Sequence, residues 1–502
     1  LELRVLGARF ESALVASVAR DSLGDRIRAA YDDRLPVGVF DLLVRLTSAP
    51  GPITPETVEE PADAPGDREL ALRARGEILP REIEFNHAGE RVALREMSGS
   101  IGVGEGAGPI TALSGAGDGF RFAADGSWSS LEDGSTSYDA TLTLGADRFS
   151  DDLLALVPEA VRDGMDAISF EPRGEFGLES TRATLEYAPD GALRAVASSG
   201  TLRVAGASMV LGARVEECVG RIMFDARRSA LGEPLDARLG VALESARGAG
   251  VALRNVRARV STDDSGETWL VPLIAADCYG GRIAGDATLR APSREDGAKP
   301  PAMYTASLRA AGVRFAPLLQ DLRDAARKPA PGESEGAAGD APAPEGERTG
   351  PMDLGRGLLD ADLVLEGRVA RPETRRGRGT VQVSGGPVVR VPLLVPLMQV
   401  GNLQLPIGAE LDLARASMFI VGDTISFEEL SAYAQDVEVY GYGTMDWPTL
   451  EMNLHLTSRS TSGVPVLSRM FEMVRDELLT LRVRGVPGEP RVEAVSFEGT
   501  RG

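Results

Sequence analysis

Short runs of strictly alternating apolar and polar residues are the feature that most restricts the fold of this chain. Such runs occur at Ala361–Leu365, Thr380–Ser384 and Leu481–Arg484, and turns such as Gly115–Gly119 and Asp263–Gly266 punctuate the sequence. Because successive side chains of a strand point to opposite faces of a sheet, this period of two predicts strands with one apolar face. Helices do not follow the strands in a regular order, which argues against Rossmann and barrel-type α/β folds. We therefore predict a mainly β fold.

Helical periodicity occurs in only a few segments, which are residues 10–32, 151–165, 315–327 and 464–479. The last is the clearest, because its apolar residues recur on one face of the helix. Two interpretations are open: these helices pack on the sheet, or they cap or gate its ends.

Residues 328–350 contain no Val, Ile, Leu, Met or aromatic residue. Such a segment buries too little apolar surface to offset the entropy of ordering it, so we predict a disordered acidic linker rich in Pro, Ala and Gly. The linker divides the chain into a β-rich repeat region at 1–327, with two or three helices, and a β region at 351–502 that ends in a helix and a strand.

Two short patterns recur within the chain. A Pro-x-Gly segment opens a strand at Leu35–Val44 and again at Glu171–Leu178, and a second pattern links Leu94–Ile101 with Val215–Ile222. Repeats of this kind predict a β body in which each unit contacts mainly its neighbours. Chance similarity between β segments is the alternative.

The charge balance excludes several partners. The 502 residues include 54 Lys and Arg against 75 Asp and Glu, a formal net charge of −21. Nucleic-acid binding needs a clustered positive surface, so we expect no nucleic-acid partner. The same balance argues against docking on anionic lipid headgroups by charge alone. Hydrophobic residues make up 43% of the chain, which is enough for a large core.

Residues that commonly carry catalysis or bind metals are scarce. The chain has two histidines, His87 and His455, and two cysteines, Cys218 and Cys278. Metal sites and acid–base centres depend heavily on these residue types. We therefore expect no catalytic site, no metal and no cofactor, and we predict that the protein is not an enzyme. Whether the two cysteines pair stays open at this point.

Three local motifs have ordinary structural interpretations. Gly102–Gly108 resembles a phosphate loop, but no amphipathic helix follows it, so we interpret it as a glycine-rich turn. Asp263–Glu267 lacks the ligand spacing of a calcium loop and indicates a hairpin turn. His455 alternates with Leu454 and Leu456, which places it on the exposed face of a strand.

Several stretches together resemble the C-terminal region of AsmA-like (AsmA/TamB-type) bacterial envelope proteins. The resemblance covers about residues 250–502 and depends on the order and spacing of β-turn motifs. The segments that carry it are Leu253–Val260, Leu273–Leu289 with its Tyr279-Gly-Gly, Val391–Met398, Leu403–Gly408, Phe427–Leu430, Val439–Thr444, Val464–Leu467, Leu481–Gly485 and Pro490–Val492.

The resemblance implies a long, curved antiparallel sheet, open like a trough or taco, of the kind found in repeating β-groove lipid-transfer proteins. It further implies a periplasmic, non-catalytic protein that shields lipid acyl chains between membranes and has envelope proteins as partners. Family members carry an N-terminal inner-membrane anchor. The chain begins at Leu1, and its longest nearly apolar stretch, Val391–Val400, is about half the length of a spanning helix. We therefore expect the anchor to lie upstream.

An apolar groove in the C-terminal strands is the predicted binding site, with phospholipids or other acyl lipids as its ligands. The phase of each strand is not readable from the sequence, since a shift of one residue reverses its faces. The candidate groove residues are Val381, Val383, Leu411, Leu413, Phe419, Val437, Val439 and Leu454. Two other functions are weighed: a structural or interaction scaffold whose core is closed by its own helices, and a carboxylate-based hydrolase.

Overall fold

The computed structural model describes most of the chain in two compact units. The described residues are 2–10, 36–49, 71–87, 90–104, 106–156, 173–189, 193–211, 213–230, 233–248, 250–290, 301–327, 357–369, 371–387, 410–434, 437–447, 449–460, 480–486 and 491–495. Unit 1 comprises Leu1–Gly164, Pro172–Ala207 and Arg221–Leu239, and unit 2 comprises Met165–Glu171, Ser208–Gly220 and Gly240–Gly502.

Unit 1 contains eight strands that pair antiparallel in sequence order. They are β1 (Glu2–Arg9), β2 (Val37–Ala49), β3 (Ala71–His87), β4 (Glu90–Val103), β5 (Ala107–Gly117), β6 (Phe120–Ser130), β7 (Thr136–Ala146) and β8 (Arg173–Tyr187). Helix α1 (Asp151–Leu156) follows β7 and is capped by Ser150, whose hydroxyl accepts the Leu153 N–H at 3.3 Å. Leu153 and Ala155 are its buried residues.

Three strands contain residues of both units, and unit 2 continues from them. The shared strands are β9 (Leu193–Leu211), β10 (Ala213–Arg228) and β11 (Asp236–Gly248). Unit 2 then contains β12 (Val251–Thr262), β13 (Thr268–Cys278), β14 (Gly281–Arg290), β15 (Met303–Arg314), helix α2 (Phe315–Arg327), β16 (Leu358–Arg368), β17 (Arg371–Pro387), β18 (Glu410–Val421), β19 (Thr424–Ala434), β20 (Val437–Asp446), β21 (Met452–Ser460), β22 (Thr480–Gly485) and β23 (Arg491–Val495).

Each strand from β12 to β23 pairs antiparallel with the next strand in sequence. The predicted fold class, a mainly β protein built from antiparallel sheet with few helices, is confirmed. Helix α2 covers the predicted segment 315–327, and α1 begins where the segment 151–165 was predicted to begin. The predicted helices at 10–32 and 464–479 and the linker at 328–350 lie outside the described residues, and the division of the chain at that linker stays a prediction.

The second internal repeat has a common backbone conformation. Glu96 in β4 and Glu217 in β10 both have φ of 52°, and three residues later Gly99 and Gly220 also have positive φ, at 93° and 147°. A non-glycine residue in this region is uncommon and marks a local interruption of the strand. In β4 the pairing with β5 shifts register beside Glu96. The two segments therefore share a specific strand irregularity in addition to their sequence pattern.

The Pro-x-Gly repeat also corresponds to one local structure. Strands β2 and β8 both begin at the residue between Pro and Gly, and the glycines, Gly38 and Gly174, have φ of 143° and 89°. A Cβ on Gly174 would lie 2.9 Å from the carbonyl oxygen of Gly206, and a Cβ on Gly38 would overlap the backbone of Glu82. Glycine is thus required by both φ and space where these strands begin.

A candidate apolar binding face in unit 2

Strand register divides the side chains of β14–β22 between two faces. On β16, Leu359, Ala361, Leu363 and Leu365 are buried or half-buried, whereas the alternating residues Asp360, Asp362 and Val364 are exposed. Cross-strand partners share a face, so the pairing carries this assignment from strand to strand. We call the resulting set the apolar face. Its described members are Ile283, Gly285, Ala287, Leu289, Tyr304, Ala306, Leu308, Ala310, Val313, Leu359, Ala361, Leu363, Leu365, Gly367, Gly377, Gly379, Val381, Val383, Ala414, Ala416, Met418, Ile420, Ile425, Phe427, Leu430, Ala432, Val439, Gly441, Gly443, Met445, Met452, Leu454, Leu456, Leu481, Val483 and Gly485.

Among the side chains of the apolar face that the structure describes, none belongs to Asp, Glu, Lys, Arg or His. Charged residues occupy the opposite face, as Asp362 and Glu366 do on β16 and Arg376 and Arg378 do on β17. With strands about 4.8 Å apart, the six steps from β14 to β20 span roughly 29 Å. That span exceeds the roughly 15 Å of hydrocarbon in one leaflet of a bilayer.

Leucines of the apolar face lie over glycines of the neighbouring strand. Leu365 pairs with Gly377, where a Cβ would lie 2.6 Å from Leu365 Cδ2. Leu308 over Gly285 follows the same arrangement, and a Cβ there would lie 2.9 Å from Leu308 Cδ2. Because the glycine leaves room above its backbone, the leucine can lie across the sheet instead of standing upright from it.

One end of the apolar face is packed beneath helix α2. Cys278, Val313 and Leu359 form a buried cluster there, with Phe315 and Leu318 of the helix against it. This contact favours the interpretation in which the helix packs on the sheet.

A network of polar contacts joins helix α2 to residues at the ends of β11, β12 and β13. The Tyr279 hydroxyl donates to Asp321 of the helix and accepts the Ala252 N–H at 3.0 Å. Arg247 reaches the same carboxylate at 3.4 Å. Burial and the Asp321 carboxylate raise the pKa of Tyr279 to about 12, so the phenol keeps its proton and remains a donor.

In its last strands, β20–β22, the apolar face forms a second buried cluster. Val439, Met452, Leu454, Leu456, Leu481 and Val483 form it. Leu454 is 5% exposed and Val483 is 0% exposed, so these side chains are removed from water.

The middle of the apolar face differs from both ends. Leu308, Leu363, Leu365 and Met418 are only half-buried, although they pair in continuous rows across β14–β18. This half-buried stretch is the part of the apolar face with surface available to an apolar ligand.

Six of the eight predicted groove residues have described side chains, and they divide between the two faces. Val381, Val383, Val439 and Leu454 belong to the apolar face. Leu413 and Phe419 lie on the opposite face, where Leu413 pairs with Ser384 and Phe419 with Arg378. The Arg378 guanidinium lies 4.7 Å from the centroid of the Phe419 ring.

The side chains of Leu411 and Val437 lie outside the described residues. In the backbone, Leu411 pairs with Gly386 and Val437 with Ser460.

Sequence reasoning missed the half-buried members of the apolar face, among them Leu363, Leu365 and Met418. The alternation of Ala361–Leu365 already indicated that Leu363 and Leu365 share a face. What was missing was the pairing of this strand with β17 and β18, which decides that Met418, and not Phe419, is on the same side.

The polar motifs have the local roles expected of turns. Gly104 and Gly106 lie between β4 and β5, and Asp263 lies in the turn between β12 and β13, where it accepts the Ser265 hydroxyl at 2.7 Å. The carboxyl of Asp263 has its pKa lowered chiefly by that hydrogen bond. His455 pairs with Tyr442 on the face opposite Leu454, and the two rings stack at 5.3 Å.

The cysteines are separate and buried. Cys218 and Cys278 are free thiols, and burial raises the pKa of each to about 11. In the described part of the chain, no group of three or more His, Cys, Asp or Glu side chains is placed to hold a metal ion. Within the same residues, the helices are too short or too polar to cross a bilayer.

Comparison of the chain with protein-family models, with curated proteins and with solved structures returned no match. The likeness to AsmA-like proteins therefore remains a prediction from the sequence motifs.

Proposed function

We propose that the protein is a non-enzymatic lipid-binding and lipid-transfer protein that shields acyl chains on the apolar face of unit 2. The observation that carries the proposal is the absence of Asp, Glu, Lys, Arg and His from the described side chains of the apolar face, together with its half-buried middle. An apolar sheet surface that water reaches gains free energy when an apolar ligand covers it.

The energetics favour an acyl chain as the ligand. Each buried methylene contributes about 0.8 kcal/mol, so a tail of about 16 carbons gains on the order of 10 kcal/mol. Leu363, Gly379 and Met418 lie in one cross-strand row, and all present hydrocarbon, thioether or bare backbone to the ligand. With no charged side chain to pass, a chain can shift along such a row with little change in free energy. Placement in the bacterial cell envelope, with an inner-membrane anchor and envelope partners, belongs to the proposal through the AsmA-like motifs.

Two adjacent residues provide a matched test. Met418 belongs to the apolar face and Phe419 to the opposite face of the same strand. We expect Met418→Asp to weaken uptake of a soluble fluorescent fatty acid at least about tenfold, because a chain crossing the carboxylate would desolvate it without a partner. Phe419→Asp adds the same charge one residue away and should leave uptake unchanged.

The purified chain should also yield stoichiometric acyl lipid on extraction and mass spectrometry, in contrast to a control protein of similar acidity. Far-ultraviolet circular dichroism and the variant Met418→Ala check that any loss follows from charge and not from unfolding. Equal effects of Met418→Asp and Phe419→Asp, or a lipid-free chain that takes up no probe, would contradict the proposal.

A second function, a scaffold with a closed core, is favoured by the cluster around Leu454 and Val483. Those side chains are already buried, so that end of the apolar face offers no free surface. A scaffold predicts a monodisperse, lipid-free protein in which Met418→Asp changes stability alone.

A further inference from the structure

The face opposite the apolar face carries a row of arginines at the hairpin ends of β14–β17. Arg290 pairs with Met303, Met303 with Arg368, and Arg368 with Arg371, so the four residues form one continuous row across four strands. All four are exposed. The next row of the same face adds Arg376, which lies between Glu366 and Val421.

Large apolar side chains are exposed among these arginines. Met303 is 57% exposed, Val364 57% and Val421 63%. Val364 pairs with Arg378, whose guanidinium stacks on Phe419. Exposed aliphatic side chains are ordinary when single, but three of them interleaved with cations on adjoining strands form a surface of mixed character. We call this set of residues the basic–apolar patch.

The patch reverses the charge of the protein locally. Within the described residues, Arg290, Arg368 and Arg376 make no ion pair, while Arg371 lies 3.7 Å from Glu373. Glu366 is the one carboxylate between them in the two rows. In a chain of net charge −21, these rows concentrate positive charge on one surface, and that charge can attract an anionic partner.

We propose that the basic–apolar patch docks the protein on the surface of an anionic lipid bilayer. Guanidinium groups bind lipid phosphates through paired N–H donors, and each contributes to attraction near a negatively charged surface. Met303, Val364 and Val421 enter the boundary between headgroups and acyl chains, as the apolar side chains of interfacial proteins do. A soluble polyanion would use the arginines and leave the aliphatic side chains in water, so the mixture favours the bilayer. The proposal goes beyond acyl binding and does not require an occupied apolar face.

Co-sedimentation of the full chain with vesicles tests the docking. We expect the protein to sediment with vesicles of phosphatidylcholine mixed with phosphatidylglycerol and to stay in solution with phosphatidylcholine alone. Replacing Arg290, Arg368 and Arg376 together by Gln should weaken partitioning about fivefold per residue, or roughly 100-fold in all. The matched control replaces Arg254, Arg257 and Arg259 of β12 by Gln, which changes the net charge equally and should leave partitioning nearly unchanged.

A second variant separates the bilayer from a soluble acidic partner. Met303→Ser with Val421→Ser keeps every arginine and should weaken vesicle binding, while binding to soluble polyglutamate stays the same. The proposal is overturned if the unaltered protein ignores anionic vesicles, if the control triple variant loses as much binding as the patch variant, or if the serine variant binds vesicles normally.

The adjacent residues Met418 and Phe419 distinguish a failure of membrane docking from a failure of acyl binding. Phe419→Asp alters the patch and should lower vesicle binding without affecting uptake of the fluorescent fatty acid, and Met418→Asp should do the reverse.

Discussion

Replacing Gly117 by Ala should destabilise unit 1 far more than the same replacement at Gly145. Gly117 pairs with Phe120 across the β5–β6 hairpin, and a Cβ on Gly117 would overlap the Phe120 ring. The ring is 4% exposed, so it cannot move away without losing buried contacts or entering water. Gly145, on β7 in the same unit, has no atom within 4 Å of the position its Cβ would take.

The magnitude follows from the cost of overpacking. Inserting a methyl group into a packed site costs about 1–3 kcal/mol, whereas Ala in place of an unhindered strand glycine is neutral or stabilises by about 0.5–1 kcal/mol. Phe120→Ala alone should cost about 3–5 kcal/mol because it removes a buried ring. In the Phe120→Ala background the space above Gly117 is vacated, so Gly117→Ala should then cost little, and the two changes should couple by about 1–3 kcal/mol.

Hydrogen exchange followed by mass spectrometry, on peptides covering β5–β7, measures these changes locally. Protection of the β5–β6 amides should fall in Gly117→Ala and be preserved in Gly145→Ala. Additive effects of Gly117→Ala and Phe120→Ala, or equal protection in the two glycine variants, would refute the reasoning that the ring is what requires glycine.

Three further predictions concern individual groups. Cys218 and Cys278 should resist a thiol reagent at pH 8 in the folded protein and react after unfolding, because burial raises the pKa of each thiol to about 11. Rapid labelling of the native chain would contradict their burial. Asp133 has its pKa lowered to about 2, first by the Ser135 hydroxyl and then by the Ser135 N–H and Arg194, so its stabilising contribution is complete above about pH 4 and is lost as the pH falls toward 2. The difference in Tm between the unaltered protein and Asp133→Asn should accordingly shrink as the pH falls from about 4 to about 2. A difference that does not change with pH would contradict this contribution of the Asp133 carboxylate. Tyr279→Phe should raise hydrogen exchange across 315–327, because it leaves the Ala252 N–H without its acceptor and Asp321 with Arg247 alone, at a cost of about 1–3 kcal/mol. Unchanged exchange would show that the network does not hold α2.

The β class and the helix at 315–327 were predictable because alternation and helical periodicity are properties of a single segment. The division of residues between faces was not, because it depends on which residues of two strands are paired. In β18, Met418 and Phe419 are both large and apolar, and composition gives no reason to prefer one as the inward residue. The pairing of Met418 with Gly379 and of Phe419 with Arg378 decides which of the two lies on the apolar face. Irregularities such as the positive φ of Asn255 and the register shift beside it change the phase within a strand, which defeats extrapolation along the chain.

The pairing of leucines with glycines was hidden for the same reason. Gly377 and Gly379 look like weak points of a strand when read alone, since glycine lowers strand propensity. Their function in packing becomes visible only when Leu365 and Leu363 of the preceding strand are found opposite them.

Sequential pairing from β12 to β23 has a consequence for how unit 2 is made. Each strand finds its partner in the adjoining part of the chain, so a hairpin can form soon after the ribosome releases it, without waiting for distant segments. Every newly formed hairpin leaves its last strand as an edge that the next strand covers. Growth therefore proceeds in one direction, and an insertion or deletion of a whole hairpin would lengthen or shorten the body by about 10 Å while preserving the side on which each remaining residue lies.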